Sequence, residues 1–265
     1  AVHGTVNDLA MAGAQPLYLS AGFILEEGLP LAELARIVAA MADAARQAGV
    51  LIVTGDTKVV ERGKGDGVVI NTAGVGRVPA GLDLSGDRAR PGHRKLLSAT
   101  DGDHGMAIMS LRNGLEFETA LESDCASLNA LVGRMVEAAG GAIHTLRDPT
   151  RGGVAATLNE IADQSGVGMR LDETAVPVRA EVRGACELLG LDPLNVANEG
   201  KLIAIVDPAS ADALLAAMRQ GPEGRDASIV GEVIEDPLHL VRMVTRIGGE
   251  RVVDWLHGEQ LPRIC

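Results

Sequence analysis

The first third of the chain alternates between helical and strand-like spacing of its hydrophobic residues. Leu31, Leu34, Ile37, Val38, Met41 and Ala45 recur every three or four positions, which is typical of an amphipathic helix. The pattern predicts a helix over 4–13, a strand over 17–25, the amphipathic helix from 30 to 49, a buried strand over 50–54 and a further strand over 68–75. This order predicts a mixed sheet with helices on one face.

A stretch rich in Gly, Pro, Asp and Arg, near 79–92, lacks any such periodicity and marks a boundary. Further helices and strands follow it, and Gly248-Gly249 marks a hinge before the last residues. The predicted fold class is α/β, of the α+β type, with two α/β domains and a flexible C-terminal tail. We place these units at residues 1–85, 90–245 and 246–265.

The charge of the chain argues against two classes of partner. The formal net charge is −12, which repels phosphate backbones and anionic lipid heads, so we expect neither nucleic acid nor membrane as a partner. Aromatic residues make up only 2% of the chain, too few for base-stacking platforms. No apolar run approaches the ~20 residues of a membrane span.

The cysteine content points to a reducing compartment. There are three cysteines, an odd number with no short spacing between them, which does not form a disulfide framework or a zinc knuckle. We therefore expect a cytoplasmic protein. Cys125 and Cys186 have apolar or small neighbours and are expected to be buried or inert. Cys265 differs because it is the last residue of the sequence.

Two clusters in the first unit combine a carboxylate with glycines. Asp56 and Lys58 follow the predicted strand 50–54, where α/β folds usually bind ligands. A divalent metal at Asp56 with phosphate at Lys58, and a plain surface turn with an ion pair, are both open at this stage. Asp8, at the predicted start of a helix, is either an N-cap or an oxygen ligand, and the N-cap is favoured.

Three clusters in the second unit have the same character. Asp148 and Arg151 stand with two glycines immediately before a predicted helix, and a helix N-terminus beside an arginine is a ready anion site. Glu199 lies in a glycine turn before a strand. His104, between glycines, is either a base or part of a helix cap. By contrast, the glycines at 63, 65 and 67 match no phosphate-loop pattern, and we interpret them as a hairpin turn.

Taken together, these clusters resemble one protein family. The segments that carry the resemblance are Val6-Asn7-Asp8-Leu9-Ala10, Gly55-Asp56-Thr57-Lys58-Val59-Val60, Ile70-Asn71-Thr72-Ala73-Gly74, Gly102-Asp103-His104-Gly105, Ser123-Asp124-Cys125, Asp148-Pro149-Thr150-Arg151-Gly152-Gly153, Asn198-Glu199-Gly200 and Pro262-Arg263-Ile264-Cys265. The chain resembles the HypE family of hydrogenase maturation factors, carbamoyl dehydratases of the aminoimidazole ribonucleotide synthetase and selenophosphate synthetase (PurM-like) superfamily. The terminal Pro-Arg-Ile-Cys is what separates HypE from the rest of that superfamily.

The resemblance implies two PurM-like domains, the first of them binding ATP and forming a homodimer. It also implies a reaction in the maturation of [NiFe]-hydrogenase. The partner HypF loads a carboxamide onto the thiol of Cys265, and ATP-dependent dehydration converts it to a thiocyanate. The cyanide is then passed to iron on the HypC–HypD complex.

The same resemblance assigns roles to individual residues. Cys265 is the substrate carrier, Glu199 is the base that removes the amide proton, and Lys58 polarises or orients the amide. Asp8 and Asp56 are the expected ligands of Mg²⁺ and phosphate. Further candidates around the nucleotide are Asn71, Asp148 and Arg151.

Two readings compete with this one. Family members carry several tens of residues upstream, with further glycines and aspartates, so we expect the chain to begin inside the first domain. A chain without them would present its tail as a scaffold to its partners without turning over ATP. Another ATP-using synthetase of the superfamily is the second alternative, disfavoured by the terminal cysteine.

Overall fold

The first unit is a small sheet packed against two helices. The computed structural model describes residues 1–113 and 121–256. The elements of this unit are α1 (Val2–Met11), β1 (Gln15–Glu26), α2 (Leu31–Ala48), β2 (Leu51–Val60) and β3 (Val68–Arg77). The helix predicted over 4–13, the strand over 17–25, the amphipathic helix and the strand over 68–75 are confirmed, with shifted ends.

The central strand of this sheet is β1, in the order β2-β1-β3. It pairs in parallel with β2 and antiparallel with β3. A parallel pair needs a crossover, which α2 supplies. The helix buries its apolar stripe, including Met41 and Ala45, against Leu19 and Ala21 of β1. Both helices therefore cover one face of the sheet, as predicted.

Asp8 is not the N-cap of the first helix, because α1 begins at Val2 and Asp8 lies inside it.

Two further expectations about this unit are wrong. The strand predicted as buried over 50–54 runs on to Val60, and nine of its ten residues are exposed. Asp56 and Lys58 accordingly lie within β2 rather than after it. The glycine-rich loop at 61–67 is not a hairpin turn, because β2 and β3 lie on opposite sides of β1. Glu26 of β1 organises this loop by accepting the N–H groups of Gly63 (2.6 Å) and Gly67 (3.2 Å).

The second unit is a larger sheet between helices. Its elements are β4 (Arg94–Leu97), α3 (Asp103–Asn113), α4 (Asn129–Ala139), β5 (Ile143–Arg147), α5 (Gly153–Ser165), β6 (Gly168–Asp172), α6 (Ala180–Leu189), β7 (Ile203–Val206), α7 (Ala211–Met218), β8 (Ser228–Ile234), β9 (Val241–Val244) and β10 (Glu250–Val252). The strands stand in the order β10-β9-β6-β8-β4-β7-β5.

Two hydrophobic cores lie on opposite faces of this sheet. One packs α5 against residues such as Leu97 and Ile205, and the other packs α4 and α7 against residues such as Leu96 and Ala204. Central strands buried on both faces are continuous apolar runs, which is how 203–206 is composed.

The described start of the predicted tail is part of the sheet. Gly248, at φ 85°, lies in the turn between β9 and β10 rather than at a hinge. Residues 250–252 pair antiparallel with β9. The remainder of the tail, from residue 257, lies outside the described residues.

Candidate active site

Four of the loops singled out in the sequence meet in space, and glycines make the close approach possible. A Cβ on Gly200 would lie 1.8 Å from the carbonyl oxygen of Asp124. One on Gly105 would lie 2.3 Å from a methyl group of Val196, and one on Gly153 would lie 2.5 Å from the carbonyl oxygen of Leu194. The loops at 102–105, 123–126, 148–153 and 194–200 therefore form one cluster.

Asn7 attaches the first unit to this cluster. Its side-chain nitrogen donates to the carbonyl oxygens of Ala126 (3.0 Å) and Glu199 (3.1 Å). Its side-chain oxygen accepts the N–H of Leu128 at 2.8 Å. Asn7 is 1% exposed, so one buried amide from α1 satisfies three backbone groups of the second unit. The candidate site lies where the two units meet.

Glu199, the predicted base, is held by its backbone on both sides. Its carbonyl oxygen accepts from Asn7, and its N–H donates to Oδ1 of Asp124 at 3.0 Å. The residue is half-buried, between the fully buried Asn198 and Gly200. Such fixation suits a group that must meet a substrate proton at hydrogen-bond distance.

A buried ion-pair network lies directly behind Glu199. The ammonium group of Lys201 is 2.6 Å from Asp103 Oδ2 and 2.8 Å from Asp124 Oδ2. It also donates to Asn198 Oδ1 at 3.3 Å. The side chains of Lys201 and Asp103 are 1% and 3% exposed. The buried lysine and its two aspartates are therefore paired and hydrogen-bonded, which is the arrangement that makes buried ionisable groups tolerable in a folded protein.

Asp101 belongs to the same network but has an unusual proton affinity. Its Oδ1 accepts from Asn198 Nδ2 at 2.8 Å, while Asn198 Oδ1 accepts the N–H of Gly102, also at 2.8 Å. Burial raises the pKa of Asp101 to about 7, against the opposing effects of Asn198 and Lys201. Its carboxyl group therefore titrates near neutral pH.

Two predicted ligands, Asp8 and Asp148, approach one another beside this cluster. Burial, and then the negative charge of Asp8, raise the pKa of Asp148. Arg151 is exposed at the start of α5, next to Gly152 and Gly153, whose φ angles of 73° and 61° lie in the left-handed region. Carboxylate oxygens, an arginine and a helix N-terminus are therefore gathered on one side of the junction.

The other predicted residues lie on a different face of the first unit. Asp56 and Asn71 both stand opposite Gly22 of β1, and Lys58 stands opposite Ile24. These rows alternate with those of Ala21 and Phe23, which face the helices. Asp56, Lys58 and Asn71 thus share the open face of the sheet, whereas α1, with Asp8, packs on the opposite face.

The two described cysteines differ in exposure. Cys186 is buried, whereas Cys125 is exposed, with its Sγ 3.6 Å from Nδ1 of His3. Desolvation of the sulfur and the nearby Glu199 carboxylate raise the pKa of Cys125, which disfavours its thiolate. Cys265 lies outside the described residues.

A second polar cluster stands at the far ends of three strands that lead to the site. His93, His144 and Asp207 lie within metal-ligand distance of one another. However, the two imidazoles are stacked, with centroids 4.2 Å apart and planes within 8° of parallel, and Nδ1 of His93 accepts the N–H of Arg90. A shared metal would have to lie in both ring planes. This arrangement instead directs His144, at 2.8 Å, and His93, at 3.5 Å, toward Asp207 Oδ1.

Sequence comparison identifies both units. The C-terminal domain of AIR synthase related protein matches residues 90–243, and the N-terminal domain of the same family matches residues 1–78. The chain is 67% identical over 264 residues to carbamoyl dehydratase HypE of Cupriavidus necator. The match covers 100% of this chain and 75% of that relative.

The chain belongs to the HypE family. A crystal structure of the HypE hydrogenase maturation protein in complex with ATP is 54% identical, with a TM-score of 0.95, over 100% of this chain and 80% of that one. HypE in a crystal structure of a HypE–HypF complex is 49% identical, with a TM-score of 0.94, over 97% of this chain and 83% of that one. The predicted fold of two PurM-like α/β domains is confirmed.

The family assignment leaves part of the site to be found in the structure. Asn7, Asp103 and Asp124 lie in the segments that carry the family resemblance, but the sequence assigns them no role, and it assigns none to Lys201. The only sequence feature that connects Lys201 to the site is its closeness to Glu199 along the chain. Within residues 1–113 and 121–256, no helix has the length and apolar character needed to cross a membrane.

Proposed function

We propose that the protein catalyses ATP-dependent dehydration of an S-carboxamide on Cys265 to a thiocyanate, for maturation of [NiFe]-hydrogenase. The observation that supports this most directly is the placement of Glu199. It lies in a rigid loop cluster at the junction of the two units, with Asp8 and Asp148 gathered at the same junction. The ATP complex of the similar HypE structure supports the use of ATP.

The chemistry accounts for the groups present. An amide oxygen is a poor leaving group, so transfer of the γ-phosphoryl group of ATP to that oxygen makes its departure possible. The carboxamide oxygen attacks the γ-phosphorus of ATP, ADP leaves, and the first of the two N–H protons is lost to give an imidate phosphate. The C–O bond then breaks with its electron pair going to phosphate, while the second N–H proton passes to a base and C≡N forms. The sum is carboxamide and ATP converted to thiocyanate, ADP and phosphate.

Glu199 is the base in this proposal. Its backbone is fixed by Asn7 and Asp124, so its carboxylate has few alternative positions from which to receive the amide proton. Lys58 is the group that polarises the amide. Since Lys58 lies on the open face of the sheet, opposite to α1, a second chain facing that sheet is the simplest way to bring the two residues to one substrate.

The residues at the junction fit a magnesium nucleotide. Asp8 and Asp148 are hard oxygen donors, and the charge of Asp8 is close enough to raise the pKa of Asp148. Arg151 stands at a helix N-terminus suited to phosphate. We assign Asp8 as a ligand of Mg²⁺, which would neutralise phosphate charge, and Asp148 and Arg151 to the nucleotide. Asp56, the second assigned Mg²⁺ ligand, and Asn71, assigned to the nucleotide, lie on the open face of the sheet. In this proposal they therefore come from a second chain that faces that sheet.

The open face of the first sheet supports a homodimer. Its rows include large apolar side chains that remain exposed, among them Tyr18, Ile24, Val69 and Val75 at 45–59%. An apolar patch of this kind is typical of an interaction surface. HypF is proposed as the partner that loads the carboxamide, as in the HypE–HypF complex. The HypC–HypD complex is proposed as the acceptor, and the cytoplasm as the location.

Mass spectrometry of the C-terminal peptide tests the proposal. Protein carbamoylated by HypF is mixed with ATP and Mg²⁺, and the peptide ending at Cys265 should lose the mass of one water. Cys265→Ala should carry no modification, with Cys186→Ala as the matched control that does. An unchanged mass would favour a scaffold that only presents its tail, and modification surviving in Cys265→Ala would contradict the carrier role.

A further inference from the structure

The carboxylate of Asp124 connects the predicted base to a fixed charge. Its Oδ1 accepts the N–H of Glu199 at 3.0 Å, and its Oδ2 lies 2.8 Å from the ammonium group of Lys201. Asp124 therefore contacts the backbone of Glu199 directly. Any change in the position of Asp124 moves the main chain that carries Glu199.

Lys201 is itself held rigidly. Its side chain is 1% exposed, and it meets Asp103 Oδ2 at 2.6 Å and Asn198 Oδ1 at 3.3 Å besides Asp124. Three acceptors for the three N–H donors of an ammonium group leave it no other orientation. Asp124 is thus tied to a fixed point buried behind the site.

Neighbouring residues also fix the backbone around the contact between Asp124 and Glu199. On the far side of Glu199, Asn7 holds its carbonyl oxygen at 3.1 Å. A Cβ on Gly200 would lie 1.8 Å from the carbonyl oxygen of Asp124, so the two backbones touch where any side chain would separate them. Ser123, adjacent to Asp124, is fixed by His104 at 2.8 Å.

We infer that Asp124 is a positioning residue for Glu199, with Lys201 as its anchor. The inference rests on the proposed role of Glu199 as base. Proton transfer requires the base within hydrogen-bond reach of the proton, and a displacement of ~1 Å costs a reaction about 100-fold in rate. Asp124 contributes by excluding such displacements, without touching the substrate.

Single-turnover dehydration by the full chain, carbamoylated by HypF, tests the inference. The variants are Asp124→Ala, Asp124→Asn, Glu199→Gln and the double variant Asp124→Ala/Glu199→Gln. Asp124→Ala should lower the rate about 100-fold, with an unchanged dissociation constant for ATP. Asp124→Asn keeps an oxygen acceptor for the N–H of Glu199 and should stay within about tenfold of wild type.

The double variant separates positioning from a general structural role. If Asp124 acts through Glu199, its removal should cost nothing further once Glu199→Gln has removed the base. A further 100-fold loss in the double variant would overturn the inference. So would a wild-type rate in Asp124→Ala, or equal losses in the alanine and asparagine variants.

Failure of the proposed function has a different signature. A wild-type rate in Glu199→Gln would remove the base assignment, and the positioning inference with it. A slow Glu199→Gln together with a fast Asp124→Ala would contradict the positioning inference alone. If Asp124→Ala does not fold, as judged by circular dichroism, Asp124→Ser takes its place, because the shorter side chain also loses the contact.

Discussion

Two lysines are almost completely buried in the second unit, and their surroundings differ. Lys201, behind the site, is 1% exposed and contacts two carboxylates and an amide oxygen. Lys95, on β4 in the middle of the sheet, is 0% exposed, and its ammonium nitrogen has no hydrogen-bond partner among the described residues. Burial holds the pKa of Lys95 well below its usual range. The buried lysine behind the site is thus paired with carboxylates, whereas the buried lysine in the sheet lacks a hydrogen bond within the described part of the chain and has a depressed pKa.

The largest effect is expected where the charge is paired. Lys201→Met removes the buried cation that Asp103 and Asp124 share and leaves Asp103 the half-exposed Arg179, at 3.5 Å, as its remaining cation among the described residues. This loss should cost roughly 3–5 kcal/mol of the free energy of unfolding. Urea denaturation measures it. Lys64→Met, the same substitution at an exposed loop position, should change stability by less than about 0.5 kcal/mol. Similar values for both variants would show that the network does not stabilise the fold.

Asp101 should give the protein a declining stability as pH rises. Its pKa is about 7 in the folded protein and about 3.9 when unfolded. Between these values the folded state binds more protons, so stability falls with pH. Wild type should lose roughly 2–4 kcal/mol relative to Asp101→Asn between about pH 4 and pH 8. Urea denaturation across this range checks the difference, and a constant difference would contradict it. Asp66→Asn, at an exposed position, is the control.

Replacing the unpartnered lysine should stabilise the protein. Lys95→Met has similar length and removes a buried amine that lacks a hydrogen bond, which should gain about 1–3 kcal/mol. The midpoint of urea denaturation should rise with an unchanged slope. Lys64→Met again serves as the matched control, and a destabilised Lys95→Met would mean that the amine does have a partner.

The same lysine predicts a smaller, pH-dependent effect. Its pKa is depressed in the folded protein and about 10.4 when unfolded. Between these values the unfolded state binds the additional proton, so stability rises with pH. The gain of Lys95→Met over wild type should therefore shrink from pH 7 to pH 10, as urea denaturation at each pH would show. A gain that stays constant would contradict the shift.

Most of the fold was accessible from the sequence because its elements are strongly periodic. The helices and the apolar strand 203–206 were predicted from local pattern alone. The errors fell on β2 and β10. An apolar run such as 50–54 has the same residue pattern whether it packs inside its own chain or faces another surface. The pattern therefore predicts a buried strand, although β2 is exposed in the structure. The run 250–252 is too short to give a period.

The site was predicted as a set of loops and not as a network. Glycines near Asp148, Glu199 and Asp103 along the chain indicated that these loops pack closely against one another, and the structure does bring them together. Local sequence carries no sign, however, that Lys201 reaches residues almost 100 positions upstream. Likewise it does not show that Asp56 and Asp8 lie on opposite faces of one sheet, since that depends on the register of β1 with its neighbours.

Asn7 has a consequence for how the molecule melts. Its amide joins α1 to three backbone groups across the junction, and Asn129 returns a bond of 2.8 Å to the end of α2. Unfolding of either unit would leave these buried groups without their hydrogen-bond partners. Although the segment 79–92 separates the two units along the chain, we expect the units to unfold together. Hydrogen exchange in α1 should therefore report the same opening reaction as exchange around Glu199.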